Sequence, residues 1–383
     1  MPNPNAIVDK IARVEPPLDK PPAEVLRESE RGLTFEFGDG RRARLDPSNE
    51  RAPALAGILE ELRRRGKPVY VEVDPQSGVI TRIQVPRVTQ IEAVYANDAG
   101  DLVIEIPLSQ GSHVLRRQSP DFDAWAALLR EALDRRLPVI LTESETHDVI
   151  DLRWYPNPED LPPFPRPGLP PEWWWRRWPW FYLVDIYQFI LKLFAWWLSA
   201  VTQARANELF DLMASKSCNP LTVPAPCITF LYPDDGCYAR AHEMCRLMSL
   251  EGVTARKVFN YADYDYGLLV STKNHPSCQV SWRYHVAPTL RVRQSFPTVQ
   301  EQVIDPALFG APVPTSTWQA KQTDPAALLV GTDASVYFRS KDGGSVNYDP
   351  NYTDTNATLA DRRIDLQVRA TGPYGPPPYA NCP

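Results

Sequence analysis

The sequence predicts an α+β protein built from more than one domain. With 383 residues the chain is long enough for two to three domains. Segments with alternating apolar residues, typical of strands, are interspersed with segments whose apolar residues recur at helical spacing. The 40 prolines cluster and mark candidate domain boundaries. A formal net charge of −6 and the absence of a basic stripe argue against nucleic acid as a partner.

The N-terminal residues 1–26 are expected to form a loose segment, because prolines are scattered through them. They also lack the cationic stretch followed by an apolar stretch that is typical of a secretory signal peptide. We therefore expect that any export of the protein uses a route without a cleavable signal peptide.

Residues 27–156 contain two similar halves, in which the segment 54–86 resembles the segment 124–156. Each half has a candidate hairpin, an amphipathic helix and a second pair of strands that begins with Pro-Val. The pattern predicts two ββαββ repeats packed as one α+β domain. No residue in this domain suggests catalysis, so we interpret it as an interaction, inhibitory or delivery module.

A proline-rich linker, residues 157–172, is predicted to be stiff and extended. It leads into a Trp-rich helical segment, residues 173–216, in which seven tryptophans lie between Trp173 and Trp197. The apolar run here is long enough to cross a bilayer, but Asp185 and Lys192 oppose insertion. We favour a helix buried against the other domains. Contact of Trp173–Trp197 with a membrane surface, or a true span, is the alternative.

The candidate nucleophile is Cys237, which lies where a loop becomes a predicted helix, Tyr238–Leu250. A thiol in the first turn lies beside unpaired backbone N–H groups and the positive end of the helix dipole, which favour a thiolate. Helical spacing places this cysteine on one apolar face with Ala241, Met244 and Met248. The polar residues of the helix fall mainly on other faces, where they are expected to meet water: Arg240, Glu243 and Arg246.

The general base can be sought by elimination, because the chain has only five histidines. His113 and His147 belong to the first domain and are interpreted as surface or strand residues. His242 lies about 140° around the helix from the cysteine, and His275 lies in a polar loop that contains a proline. His285 remains, in the alternating segment Cys278–Pro288, which is typical of a strand and places Trp282 and His285 on opposite faces.

A partner for His285 comes from the next predicted strand, Gln302–Asp305. If the hairpin is centred near Ser295, Asp305 lies directly opposite the histidine, about 5 Å away on one sheet face. There the carboxylate would hold the imidazole in the tautomer that a general base needs. Each residue also has a structural explanation: a packed or disulfide-bonded cysteine, a sheet histidine and an aspartate that begins a turn.

These residues lie in segments that resemble the bacterial protein-glutaminases, which are protein-glutamine deamidases. The likeness covers about residues 205–370, and its specific motifs are Cys227–His242, Tyr284–Ala287, Ile304–Phe309 and Val336–Ser340. The resemblance implies a papain- and transglutaminase-like α+β core over residues 217–370. It also implies a Cys-His-Asp triad at Cys237, His285 and Asp305.

The resemblance bears on the six cysteines as well, all of which follow residue 217. The family uses short disulfide loops, which suggests a Cys218–Cys227 bridge, while Cys245, Cys278 and Cys382 have no assigned partner. No metal or other cofactor is predicted, because paired Cys or His spacings are lacking. The Pro- and Tyr-rich tail, residues 371–383, is expected to be disordered.

The expected function is hydrolysis of the side-chain amide of glutamine in a protein or peptide where that glutamine is exposed. Trp282, Tyr284 and Trp318 are candidates for the substrate cleft, with the structural core as the alternative for each. A transglutaminase, a cysteine peptidase with the same triad and a non-catalytic interaction module remain alternatives. The expected location is secreted, or delivered outside the cell by a route without a cleavable signal peptide; the cytoplasm is the alternative.

Overall fold

The computed structural model describes residues 3–156, 197–219, 226–263 and 267–382 of the chain. These residues divide into two compact units. Unit 1 holds the described residues up to 156 together with 219 and 361–382, and unit 2 holds 197–218, 226–263 and 267–360. In both units helices pack on antiparallel sheets, so the architecture is a mixture of α and β elements.

The first half of unit 1 is a five-stranded antiparallel sheet with two helices. Its elements in chain order are β1 (Ala6–Glu15), α1 (Pro22–Glu28), β2 (Leu33–Phe37), β3 (Arg42–Leu45), α2 (Ala52–Arg64), β4 (Pro68–Val73) and β5 (Ile80–Gln84). The strands lie in the order β3-β2-β1-β4-β5. Leu59 and Leu62 of α2 pack with Phe35 and Val71 of the sheet in one core, as their helical spacing requires.

The N-terminal residues differ from the prediction that 1–26 are loose. Strand β1 lies at the centre of this sheet, between β2 and β4, and Val8 pairs with Tyr70 of β4. Ile7 and Ile11 are buried in the core with α2, while Val8 packs in a second cluster with Tyr70. The prediction is wrong because burial on both faces removes the simple alternation by which a strand is recognised.

The second half of unit 1 has the same order of hairpin, helix and hairpin, but its strands form two sheets. The elements are β6 (Arg87–Thr89), β7 (Ala93–Ala96), β8 (Leu102–Glu105), β9 (His113–Leu115), α3 (Phe122–Arg135), β10 (Val139–Glu143) and β11 (Val149–Trp154). One sheet has the order β11-β10-β6 and the other β7-β8-β9. Since the sheets of the two halves differ, the internal repeat remains a prediction.

Unit 2 is built on a second five-stranded antiparallel sheet. Its elements are α4 (Gln203–Ser215), α5 (Cys237–Leu250), β12 (Arg256–Tyr261), β13 (Leu268–Ser271), β14 (Gln279–Trp282), β15 (Tyr284–Arg293), β16 (Val299–Val303), β17 (Val313–Pro314), α6 (Thr315–Ala320), β18 (Leu328–Asp333), β19 (Val336–Arg339), β20 (Val346–Tyr348) and α7 (Thr353–Thr371). The main sheet has the order β17-β16-β15-β12-β18, and β13-β14 and β19-β20 are separate hairpins. Helix α5 packs on β15 at the centre of this sheet.

Helix α4 begins at a capping residue: the Thr202 hydroxyl accepts a hydrogen bond from the backbone N–H of Arg205. Its residues Leu209, Phe210 and Met213 are buried with Met244 and Met248 of α5 in one core. The preceding linker and most of the predicted Trp-rich helix, 157–196, lie outside the described residues. Within the described part of the chain, no helix is long and apolar enough to cross a membrane.

The C-terminal residues also differ from expectation. The second half of helix α7 belongs to unit 1, where Ile364 and Val368 complete the core beside α2. Arg65 and Lys67 form ion pairs with Asp361, at 2.6 and 3.0 Å. The tail that follows was expected to be disordered, but it contains residues that are buried, among them Tyr379 and Cys382.

Candidate active site

Cys237 is the first residue of helix α5. The preceding residue, Gly236, has φ of 83°, a left-handed conformation that glycine adopts without strain. The cysteine is fully buried, and its sulfur accepts a hydrogen bond from the backbone N–H of Val286 in β15. Because Val286 directly follows His285, this contact fixes the thiol beside the strand that carries the imidazole.

Helix α5 is more deeply buried than its sequence predicts. Ala241, Met244 and Met248 lie in the core as expected, but Arg240 and Glu243, which were expected to meet water, are only 2% and 6% exposed. The prediction is wrong because the helix is covered on nearly all sides, which an amphipathic pattern does not reveal.

Burial also changes the state of the thiol. It raises the pKa of Cys237, and the positive charge of Arg240 opposes that effect without cancelling it. The helix start was expected to favour a thiolate, yet in this desolvated position the neutral thiol is favoured. Any nucleophilic role therefore requires a base that takes the proton as the sulfur attacks.

Such a base, His285, makes a direct hydrogen bond with Asp305. Nε2 of the imidazole lies 2.8 Å from Oδ2 of the carboxylate, and both side chains are buried. The hairpin register differs from the predicted one, because Thr289 lies opposite Val303, which places the turn about one residue later than Ser295. Asp305 thus follows the end of β16 and reaches the imidazole diagonally rather than from the directly opposed position.

The predicted strand from Cys278 to Pro288 is in fact two strands, β14 and β15, which separate at Arg283 and belong to different sheets. Alternation placed Trp282 and His285 on opposite faces, but the break brings their rings together. The two ring centroids are 4.3 Å apart and the planes differ by 25°. The break in the strand therefore places the Trp282 ring against the imidazole of His285.

Trp318 of helix α6 forms a second aromatic contact with His285, with ring centroids 5.4 Å apart. Its Nε1 donates a 2.8 Å hydrogen bond to the Asp305 oxygen that also binds the imidazole. Tyr284, by contrast, packs against Phe338 at 5.5 Å. All three predicted cleft residues are buried, and only the two tryptophans touch the histidine; their role in a substrate cleft stays a prediction.

The charge states of His285 and Asp305 follow from the surroundings of the two side chains. Burial lowers the pKa of His285 despite the nearby carboxylate, so the imidazole is neutral at pH 7. For Asp305, burial acts to raise the pKa, but the interactions with His285 and the Trp318 N–H outweigh it and the pKa is lowered. A carboxylate that accepts from Nε2 fixes the proton there and leaves the Nδ1 lone pair as the basic site. Nδ1 is buried and makes no hydrogen bond within the described residues.

The two other histidines of unit 2 have different surroundings. His242 accepts a hydrogen bond from the Lys257 ammonium at 2.7 Å and lies 3.2 Å from the Asp349 carbonyl, which agrees with the prediction that it points away from Cys237. His275 lies in a loop as predicted, but it is buried and its Nε2 is 3.2 Å from the Asp234 carboxylate. It therefore borders the loop before the nucleophile, which sequence spacing alone did not indicate.

One cluster in unit 1 has donors of the type that bind metal ions. The ligand atoms of His113, Glu143 and His147 all lie within 4.8 Å of one another. However, His113 Nδ1 is already 2.5 Å from the carboxylate, and the Arg87 guanidinium is 3.8 Å from its other oxygen. Protein cations and donors thus already satisfy this carboxylate, and the cluster has a sufficient explanation as a buried ion-pair network.

The cysteines divide into two groups. Cys218 and Cys227 form a disulfide with an S–S distance of 2.08 Å. Of the three cysteines without a predicted partner, Cys278 and Cys382 are disulfide-bonded and Cys245 is a reduced thiol. Cys237 is likewise outside any disulfide.

Comparisons with known proteins agree on one family. The sequence profile of a family described as glutaminase matches residues 206–322. The chain is 32% identical to a protein-glutaminase of known crystal structure, covering 48% of this chain and 98% of that one, with a TM-score of 0.38. The same identity and coverage hold for the NMR structure of protein-glutaminase from Chryseobacterium proteolyticum, with a TM-score of 0.39.

A longer similarity is found with a pro-protein-glutaminase crystal structure. It is 22% identical and covers 78% of this chain and 99% of that chain, with a TM-score of 0.48. Among proteins with curated descriptions, none matches this chain.

Proposed function

Because the chain belongs to the protein-glutaminase family and is an enzyme of that family, we propose that it hydrolyses the side-chain amide of glutamine in proteins. The products are protein-bound glutamate and ammonia. The partner is a protein or peptide with an exposed glutamine, and no cofactor takes part.

The proposed reaction begins at the thiol of Cys237. His285 takes the thiol proton at Nδ1 while the sulfur attacks the carboxamide carbon, and the resulting oxyanion accepts a hydrogen bond from the Cys237 backbone N–H. The imidazolium then gives its proton to the departing ammonia, which leaves a thioester. His285 next activates a water molecule that hydrolyses the thioester, and Asp305 holds the imidazole throughout.

The observation that carries this proposal is the state of the His285 ring. Its Nε2 is bound to Asp305 at 2.8 Å, while the opposite nitrogen is buried without a hydrogen bond in the described structure. The adjacent backbone N–H of Val286 binds the Cys237 sulfur. A neutral imidazole oriented by a carboxylate, next to a thiol that needs a base, suits acyl transfer through a thioester.

We also propose a papain- and transglutaminase-like arrangement for unit 2. Its support is the placement of the nucleophile at the start of α5, which packs on an antiparallel sheet whose central strand β15 carries the histidine. An experimental structure with a different connectivity around α5 and β15 would contradict this assignment.

Incubation of the enzyme with a glutamine-rich protein tests the proposed activity. We expect a mass increase of about 1 Da at each modified glutamine, because the amide becomes a carboxyl group, with ammonia released in equal amount. A transglutaminase would instead attach an added amine, and a peptidase would shorten the chain. An unchanged substrate in the presence of folded enzyme would contradict the proposal and favour an interaction module.

For unit 1 we propose an inhibitory or delivery role, since it contains no second set of residues suited to this chemistry among those described. If it inhibits, a chain that starts at Ala204 should deamidate protein substrates faster than the full chain. Because Ile364 and Val368 belong to the core of unit 1, the comparison should include full-length protein cut by protease between residues 157 and 196, which retains both pieces. Equal rates in all three forms would rule out inhibition and leave delivery.

The cysteine chemistry supports action outside the cell, and we propose that location. Disulfides persist in oxidising compartments, and Cys218, Cys227, Cys278 and Cys382 are all disulfide-bonded. Immunodetection should find the protein in the culture medium. Recovery from the cytoplasm alone, with these thiols reduced, would contradict the proposal.

A further inference from the structure

Arg240 lies one turn after Cys237 on helix α5, and it is one of the largest fully buried side chains. Its guanidinium Nη1 donates hydrogen bonds to the backbone carbonyls of Tyr232 and Asp235, at 3.0 and 2.6 Å. These carbonyls belong to the loop that enters the helix at the nucleophile. The arginine therefore ties the two ends of that loop to the helix.

Within the described residues, the guanidinium of Arg240 is held by these two carbonyl hydrogen bonds and by no ion pair. Its Nη2 is buried and forms no hydrogen bond in the described part of the chain. Its neighbour Arg246, by contrast, binds the Glu243 carboxylate in the ordinary way at 2.5 Å. Burying a cation that has no ion pair among the described residues is unfavourable, so a packing role alone does not account for an arginine at this position.

The charge of Arg240 acts on each residue of the proposed triad. It lowers the pKa of Cys237 against the effect of burial, it adds to the lowering of the His285 pKa by burial, and it contributes to the lowered pKa of Asp305. A positive charge here favours negative charge on the sulfur and disfavours the imidazolium.

We propose that Arg240 is a positioning residue of this active site, which holds the loop before Cys237 in place and supplies a fixed positive charge beside the reacting groups. This inference rests on the proposed deamidation at Cys237. In the reaction, negative charge develops on the sulfur and then on the former amide oxygen. A buried cation fixed in advance stabilises that charge without having to reorganise.

The other charged groups around His285 come from several elements. Asp305 follows β16 and binds the imidazole directly, and Asp235 lies in the loop tied down by Arg240. Strand β12 presents the neutral Asn260 opposite His285, and helix α6 presents the uncharged indole of Trp318. Burial is the largest cause of the lowered pKa of His285, and Arg240 is the charged group that adds to this lowering.

Two substitutions separate the two parts of this role. Arg240→Lys keeps the charge but does not reproduce the paired hydrogen bonds to the loop, whereas Arg240→Met removes both. We expect kcat to fall about 10- to 100-fold in either variant. Without these hydrogen bonds the loop no longer fixes Cys237, and a displacement of the nucleophile by about 1 Å is enough to cause such a loss. The acid limb of the pH–rate profile should move to higher pH in Arg240→Met only, since His285 then stays protonated to a higher pH.

The readout that does not depend on activity is an NMR titration of the histidine rings in the full chain, with the His285 signal assigned by its loss in His285→Gln. The pKa of His285 should rise in Arg240→Met and stay at the wild-type value in Arg240→Lys and in the control Arg246→Met. The control should also keep its deamidation rate, because the Arg246 side chain is 35% exposed and pairs with Glu243 rather than with the loop before Cys237.

The outcomes separate this inference from the proposed function. An unchanged His285 titration in a folded Arg240→Met protein would overturn the electrostatic role, even if activity falls. Wild-type rates in Arg240→Lys would overturn the loop-holding role. If the wild-type enzyme releases no ammonia from protein glutamine, the proposed function fails, and the titration still tests the charge.

Discussion

Replacing Cys237 by alanine is expected to abolish ammonia release from protein glutamine, with a loss of at least about 10⁴-fold. The thiol supplies the bond that the thioester requires, and water attacking the amide without it lacks a covalent route. Because the sulfur is fully buried, the substitution leaves only a small cavity. Ammonia release should be measured together with thermal unfolding, so that the loss of activity is separated from loss of the fold.

The matched control for this variant is Cys245→Ala. Cys245 is the other reduced cysteine, it lies on the same helix two turns later, and it is also buried. Its removal should cost a similar amount of stability and leave most of the activity. Activity that survives in Cys237→Ala, or disappears equally in both variants, would contradict a specific nucleophilic role.

Asp305→Asn is expected to lower kcat by about 10³- to 10⁴-fold while the protein stays folded. Both carboxylate oxygens of Asp305 accept hydrogen bonds, Oδ2 from His285 and Trp318 and Oδ1 from the Ala307 backbone N–H. An amide has only one acceptor oxygen, so one buried donor loses its partner in either orientation of the side chain. If the amide N–H₂ faces His285, it favours the tautomer with the proton on Nδ1, which is the wrong form for a base.

Asp324→Asn provides the control for Asp305→Asn. Asp324 is also buried, and its two oxygens accept from the backbone N–H groups of Asp263 and Ala326. Both substitutions should cost about 1–3 kcal/mol of stability through an unsatisfied donor, but only Asp305→Asn should lose activity. Measuring urea unfolding and kcat for the two variants checks this, and equal activity losses would show that the effect is one of stability.

The arrangement of the candidate site could be predicted in part from the sequence. Elimination among five histidines and the order of helix start, strand and strand led to His285 and Asp305, and these two side chains are hydrogen-bonded in the structure. The register was wrong because the turn position, on which it depends, is not fixed by strand composition. A residue beyond the end of a strand still reaches its partner, since a side chain spans the diagonal distance.

The sequence could not reveal the contacts that depend on tertiary packing. A break at Arg283 brings Trp282 against His285, and no local pattern marks that break. The burial of Arg240 was missed for a related reason: a polar residue on a helix is normally assigned to water, and only the surrounding elements show that no water-facing side remains. Such departures from local rules are expected at functional sites.

In unit 1, too, contacts between residues distant in sequence could not be predicted. The helices and hairpins of 27–156 follow from apolar spacing, but β1 at the sheet centre and the last helix in the core do not. Both come from the ends of the chain and pair with residues distant in sequence. Proline content suggested loose ends, whereas long-range pairing decides their structure.

Covalent catalysis by Cys237 is tested by trapping the intermediate with a rapid acid quench during turnover of a glutamine peptide, followed by mass spectrometry of the enzyme. We expect an adduct with the mass of the peptide less one ammonia, carried by Cys237 alone and released by hydroxylamine. Its yield should increase in Asp305→Asn if thioester hydrolysis slows more than its formation. An enzyme that turns over with Cys237 unmodified at every time point, or with the adduct on another residue, would contradict the mechanism.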